Sequence, residues 1–115
     1  MKNLNVIRER YLRDKLPIRL GGLAANLSRI KSFAANEANR EAVLGLIEES
    51  KFFIEWTAAE AEIEKAAELI ALQVELARWQ RNWENIWSDT EQRQQVAEQS
   101  RRWSEKVLEI SGLFE

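Results

Sequence analysis

Leu20, Leu23, Leu27, Ile30 and Ala34 recur at steps of three and four residues. That spacing follows the 3.6-residue turn of an α-helix and lines one face with apolar side chains. It constrains the chain more than any other feature, because it returns in Val43, Leu46, Ile47, Phe53 and Ile54 and again between Ile63 and Ile86. One proline and four glycines in 115 residues are too few for the turns of a β-sandwich or barrel. Apolar residues at 45% supply enough material for a core. The expected fold is all-α: a single helical-bundle domain over 1–115, with four up-and-down helices joined by short breaks that favour antiparallel neighbours.

Residues 1–16 are expected to form an N-terminal arm or separate helix. Leu4, Ile7 and Tyr11 share a face there, but Leu16 precedes Pro17 and is steered out of the helical region. The first firm helix is expected from Pro17 to Ala35. Gly21, Gly22, Ala24 and Ala25 beside its stripe suggest close approach by another backbone. The next runs from Glu37 or Arg40 to Trp56, with Gly45 marking a tight crossing. Thr57-Ala-Ala-Glu60 reads as a capping box opening a third helix that continues to Trp87; if that break is only a kink, the bundle has three helices. This helix, roughly 45 Å long at 1.5 Å per residue, carries a broad apolar band: Ile63, Ala66, Ala67, Leu69, Ile70, Val74, Leu76, Ala77, Trp79, Trp83 and Ile86. Such a band needs more than one neighbour, and the helix should overhang its neighbours at the tryptophan end. Ser88-Asp-Thr-Glu91 is a second capping box, opening a last helix from Asp89 to Ile110 along Val96, Trp103, Val107 and Ile110, with Gly112 as its C-cap.

The chain has no cysteine and no histidine. This removes disulfides, thiolate nucleophiles, the usual general base near neutral pH and the commonest metal ligands. The remaining carboxylates do not compensate. Glu48, Glu49 and Glu55 lie off the apolar stripe of their helix, and Glu60, Glu62, Glu64, Glu68 and Glu75 form an acidic, solvated run. No enzymatic activity, metal or cofactor is expected. No Gly-rich phosphate loop follows Gly21-Gly22. The absence of an apolar leader, and of any apolar run near the 18 to 20 residues of a membrane span, leads to the expectation of a cytoplasmic protein.

Two surfaces stand out. Trp79, Trp83 and Trp87 are four residues apart, each step turning 40° on a helix, so they form a slanting row. With Arg78 and Arg81 beside it, the row is a candidate for core packing or for a protein interface, since Trp and Arg anchor interfaces. The second surface is basic. Residues 1–35 carry a balance of +6 and residues 36–115 a balance of −8. Arg8, Arg10, Arg13, Arg19, Arg29 and Lys31 form a candidate patch for an anionic partner, unless it complements the acidic later helices.

Leu20-Gly-Gly-Leu-Ala-Ala-Asn-Leu27, Phe53-Ile-Glu-Trp-Thr57, Trp79-x-x-x-Trp83 and Val107-Leu-Glu-Ile-Ser111 resemble segments of small helical-bundle proteins of cyanobacteria. The resemblance implies a helical fold over about residues 17–113 and brings no activity, cofactor or catalytic residue. The expected function is protein–protein interaction, with a partner or with a second copy as a homodimer. The alternative is a nucleic-acid-binding module using the basic N-terminal third, which would show salt-weakened binding.

Overall fold

The computed structural model describes residues 3–113, all of whose regular structure is helical. Six α-helices follow in order: α1 Leu4–Arg13, α2 Leu16–Phe33, α3 Arg40–Thr57, α4 Ile63–Arg81, α5 Trp83–Trp87 and α6 Thr90–Ser111. Short 3₁₀ turns at Glu37–Asn39 and Ala58–Glu60 join α2 to α3 and α3 to α4. None of the described helices is long and apolar enough to cross a membrane.

The N-terminal segment is helical and belongs to the bundle. Asn3 caps α1 by accepting from the backbone N–H of Asn5 at 3.0 Å. Tyr11 then buries its ring, stacked on Phe53 of α3 with centroids 3.9 Å apart. Its hydroxyl donates to the Arg19 carbonyl at 2.8 Å. The expectation that Pro17 steers Leu16 out of the helix is overturned: Leu16 opens α2 with Pro17 in its first turn, where the missing N–H costs nothing, and the extended residue is the cap, Lys15.

Each of the four long helices is tied to its neighbours by side-chain contacts. Ser104 Oγ of α6 donates to the Ala24 carbonyl of α2 at 2.8 Å. A Cβ on Gly21 would meet Leu113, just past α6, at 2.9 Å. At the other end of the pair, Lys31 and Ala34 border the same recess as Arg93 and Ala97. Asn26 of α2 donates to Glu49 of α3 at 3.2 Å. Lys51 of α3 donates to Gln80 of α4 at 2.6 Å, and Arg40 at the start of α3 pairs with Glu84 of α5. Lys106 of α6 lies 3.9 Å from Glu68 of α4. Inside this frame Leu20, Leu23, Leu27, Ile30, Val43, Ile47, Ile54, Leu69, Leu72, Leu76 and Val107 are fully buried.

The glycine and capping expectations are partly corrected. Gly21 does mark a close approach, but to the Leu113 side chain. Gly45 marks none: a Cβ there would meet nothing within 4 Å. The Thr57 capping box does not form. Thr57 ends α3, is fully buried, and its hydroxyl donates to Tyr11 Oη at 3.3 Å. The Glu60 carboxylate is taken by Arg19 instead of the Thr57 backbone. Ahead of α6 the cap is Asp89, not Ser88: its Oδ1 accepts from the Glu91 N–H at 2.9 Å. Gly112 takes the left-handed conformation (φ 72°) expected of a helix-ending glycine.

Candidate interaction surface

The continuous third helix expected from the sequence stops at Asn82. The Asn82 side chain donates to the Arg78 carbonyl at 3.0 Å, competing with the helical ladder, and its backbone leaves helical geometry (φ −105°, ψ 21°). The helix is interrupted there for one residue, the Ile86 N–H still reaches the Asn82 carbonyl at 3.0 Å, and α5 carries the tryptophan end. Trp79, Trp83 and Trp87 are 5%, 4% and 5% exposed. Trp83 and Trp87 pack with centroids 5.1 Å apart. Trp87 Nε1 donates to the Glu37 carbonyl at 2.9 Å, while Arg93 closes over the same ring, its guanidinium 5.5 Å from the centroid. The row is therefore core within this chain and offers no open indole surface. Of that candidate interface only Arg78 and Arg81 remain outside.

The basic patch is also divided. Arg19 is buried and committed to its own chain. Its Nε donates to the Asp14 carbonyl at 2.9 Å, and its two terminal nitrogens grip Glu60 at 2.6 and 3.0 Å. That fork holds the Glu60 carboxyl below its ordinary value and pushes the Arg19 guanidinium up. Arg8, Arg10, Arg13, Arg29 and Lys31 are exposed. Two residues on a helix are about 200° apart, so Arg8 and Arg10 on α1, and Arg29 and Lys31 on α2, point to opposite sides. Arg29 hydrogen-bonds Asn26 at 2.9 Å and borders a groove of about 580 Å³ together with Glu41, Glu48 and Glu49. The groove thus carries three carboxylates beside this one arginine. The groove has an apolar bed that includes Ile7, Phe33, Leu46 and Phe52, and Gly45 opens onto it.

The surface that the sequence pattern did not isolate lies on α4. Leu69, Leu72, Leu76 and Trp79 are its buried side. On the far side Ile63 is 88% exposed, Ile70 46% and Val74 54%, with Ala67 and Ala71 exposed between them. At 100° per residue these positions cluster within about one third of the helix circumference, opposite the buried side. Three of the large exposed apolar side chains of the described residues thus line one stripe. An apolar stripe of this kind marks an interaction site far more often than scattered surface residues do. The sequence contained the signal: the band on this helix was too broad for one neighbour. It did not say which half faced out.

Among the described residues no group of three or more His, Cys, Asp or Glu side chains could hold a metal ion. The strongly shifted groups have structural causes. Burial pushes Tyr11 up to about 12. The Arg101 guanidinium, seconded by Arg102, holds the Glu98 carboxyl down to about 2 on the solvent side of α6. No family model matches the chain, and no curated protein or solved structure matches it at a significant level.

Proposed function

We propose that this chain is a non-enzymatic interaction protein, an up-and-down bundle of four long helices (α2, α3, α4 and α6) that docks on other protein surface through the outer face of α4. One observation carries the reading: α4 is apolar on two opposite sides, and the bundle covers only one of them. A surface helix normally needs one apolar stripe. A second stripe weakens solubility unless something covers it. Arg78 and Arg81 at the C-terminal end of the stripe, and Glu64 at its start, supply the polar rim that protein interfaces have.

The test compares the wild-type protein with the double variant Ile70→Glu, Val74→Glu. Both side chains already meet solvent, so the fold and its melting temperature should survive. Proteins retained from host extract by the immobilised wild type in stoichiometric amount, and self-association of the purified chain, should be lost in the variant. Identical retention by the two proteins, together with the same solution mass at every concentration, would refute the reading.

A further inference from the structure

The stripe on α4 has an internal pattern. Ile63, Ala67, Ile70, Val74, Ala77 and Arg81 alternate steps of four and three residues. That is the core spacing of two helices packed along a common seam, the a and d positions of a heptad. The residues flanking such a seam decide which partner fits. One flank of this seam carries Glu64, Ala71 and Arg78; the other carries Ala66, Gln73 and Gln80. The first flank is acidic at one end, small in the middle and basic at the other end. It is complementary to itself when reversed.

From this we infer that the outer face of α4 docks on the same face of a second copy, antiparallel, about a two-fold axis level with residue 72. In that register Ile70 meets Val74 of the second copy, Ala67 meets Ala77, and Ile63 lies under the aliphatic stem of Arg81. Each contact occurs twice, as a two-fold interface requires. On the flank, Glu64 of each copy lies beside Arg78 of the other, and the two Ala71 residues face one another, small enough to let the helices approach. The opposite flank is turned to α3 of its own chain, where Gln73 donates to the Lys51 carbonyl at 3.2 Å and Gln80 accepts from Lys51 Nζ at 2.6 Å. Shifting the antiparallel register by one heptad sets Glu64 beside Ala71 and loses both ion pairs. A parallel pairing sets Glu64 level with Glu64 and Arg78 level with Arg78, with no opposite charge across the seam.

The charged ends are free to do this. Glu64 is exposed. Arg78 uses one terminal nitrogen on Glu75 of its own helix at 2.8 Å, and its side chain remains 64% exposed. The other nitrogens of its fork are open to a second carboxylate. The seam is one helix of 19 residues, about 28 Å long at 1.5 Å per residue. A contact of that size is at the small end for specific interfaces. The dimer should therefore be concentration-dependent, with a dissociation constant on the order of tens to hundreds of micromolar.

This inference rests on the outer face of α4 being a docking surface and is tested on the purified chain alone. Sedimentation equilibrium over roughly 1 µM to 1 mM should show monomer passing to dimer. Glu64→Arg and Arg78→Glu should each weaken the dimer about three- to tenfold, since two exposed ion pairs become repulsive. The swap Glu64→Arg with Arg78→Glu should restore it. The chain has no cysteine, so Ala71→Cys gives a single thiol on the axis. It should form a covalent dimer under mild oxidation, whereas Glu55→Cys, exposed on α3, should not. A monomer at the top of the concentration range, failure of the charge swap to restore pairing, or equal cross-linking at residues 71 and 55 would each overturn the pairing. If the purified chain stays monomeric while Ile70→Glu, Val74→Glu still loses a protein from extract, self-pairing is wrong and the docking reading stands.

Discussion

Ile70 and Leu72 are two residues apart on α4 and have opposite surroundings. Leu72 is fully buried, whereas Ile70 is 46% exposed. The helix gives no chemical reason for the difference, because both residues are branched aliphatics of similar size. Position alone decides it. Leu72 shares its side with Leu69, Leu76 and Trp79, against the rest of the bundle. Ile70 shares its side with Ile63 and Val74, against solvent. Apolar character therefore cannot be equated with burial on a helix that is apolar on two sides. What separates the core from the docking face is which side has partners.

The largest expected effect tests this directly. Trp83→Ala removes a large ring packed on Trp87 and should cost about 3 to 5 kcal/mol, the usual range for truncating a buried aromatic. Ile70→Ala should stay within about 0.5 kcal/mol of wild type in the monomer. Chemical denaturation of both variants at low protein concentration checks the pair. Equal losses would mean that Ile70 is covered within the monomer and that the two sides of α4 do not differ.

The next effect comes from Tyr11, the only tyrosine in the chain. Burial raises its pKa from 10.0 to about 12, mainly by desolvation, with Thr57 and Arg19 opposing. The folded state thus favours the neutral phenol. Its contribution is fully present below pH 10 and is lost as pH rises from there through about 12, amounting to about 2 to 3 kcal/mol. Phenolate absorbance gives the pKa of the folded chain without interference from another tyrosine. Stability measured from pH 9 upward should fall more steeply for wild type than for Tyr11→Phe. An ordinary phenol pKa would mean that α1 does not seal this end of the bundle and that a second side of the molecule is open.

How much of this contrast was legible beforehand depends on whether the deciding partner was local. The stripes of α2 and α3 could be read from spacing, because their core side repeats cleanly at steps of three and four: Leu20, Leu23, Leu27 and Ile30 are buried, as are Val43, Ile47 and Ile54. On α4 the apolar residues run nearly all round, so periodicity identifies the helix but not its inner side, and nothing local sets Leu72 apart from Ile70. The tryptophan row is visible at its four-residue spacing, and at 100° per residue it continues the side of α4 that Leu69, Leu72 and Leu76 bury; what spacing does not give is the interruption at Asn82 and the distant partners that close over the row, Glu37 and Arg93. Thr57 and Glu60 have the residue types of a capping box. Their actual partners, Tyr11 and Arg19, are more than forty residues away in sequence, where local pattern carries no information. On α6 the buried side includes Ser100, Ser104 and Ser111, polar by composition and small by shape, so a search for apolar residues passes over them.

A smaller effect is expected at the start of α6, which covers α2 and borders α4. Asp89 accepts from the N–H groups of Glu91 and Gln92 and from the Gln92 side chain. These bonds, with the Gln92 side chain contributing most, lower its pKa. A lowered carboxyl pKa gives stability that is present above the ordinary carboxylate range and is lost as pH falls through the folded value. Asp89→Ala should lower the melting temperature by a few degrees at neutral pH, and the gap should close on acidification. A gap that persists in acid would assign the effect to packing and not to the cap.

The smallest effect sharpens the comparison from inside. Ser100 is fully buried on α6, and its hydroxyl has no hydrogen-bond partner among the described residues. A buried hydroxyl without a partner keeps its desolvation cost and gains nothing in return. Ser104, one turn later, spends its hydroxyl on the Ala24 carbonyl. Ser100→Ala should therefore stabilise the chain by about 0.5 to 1 kcal/mol, while Ser104→Ala should destabilise it by about the same amount. Alanine is no larger than serine, so neither change disturbs the close packing of α6 on α2, and the difference between them isolates the hydrogen bond. Thermal melts of the two variants beside wild type measure it. Loss of stability in both would show that the Ser100 hydroxyl is bonded in solution, and the closed side of the bundle would then be tighter than the contrast with the open face of α4 requires.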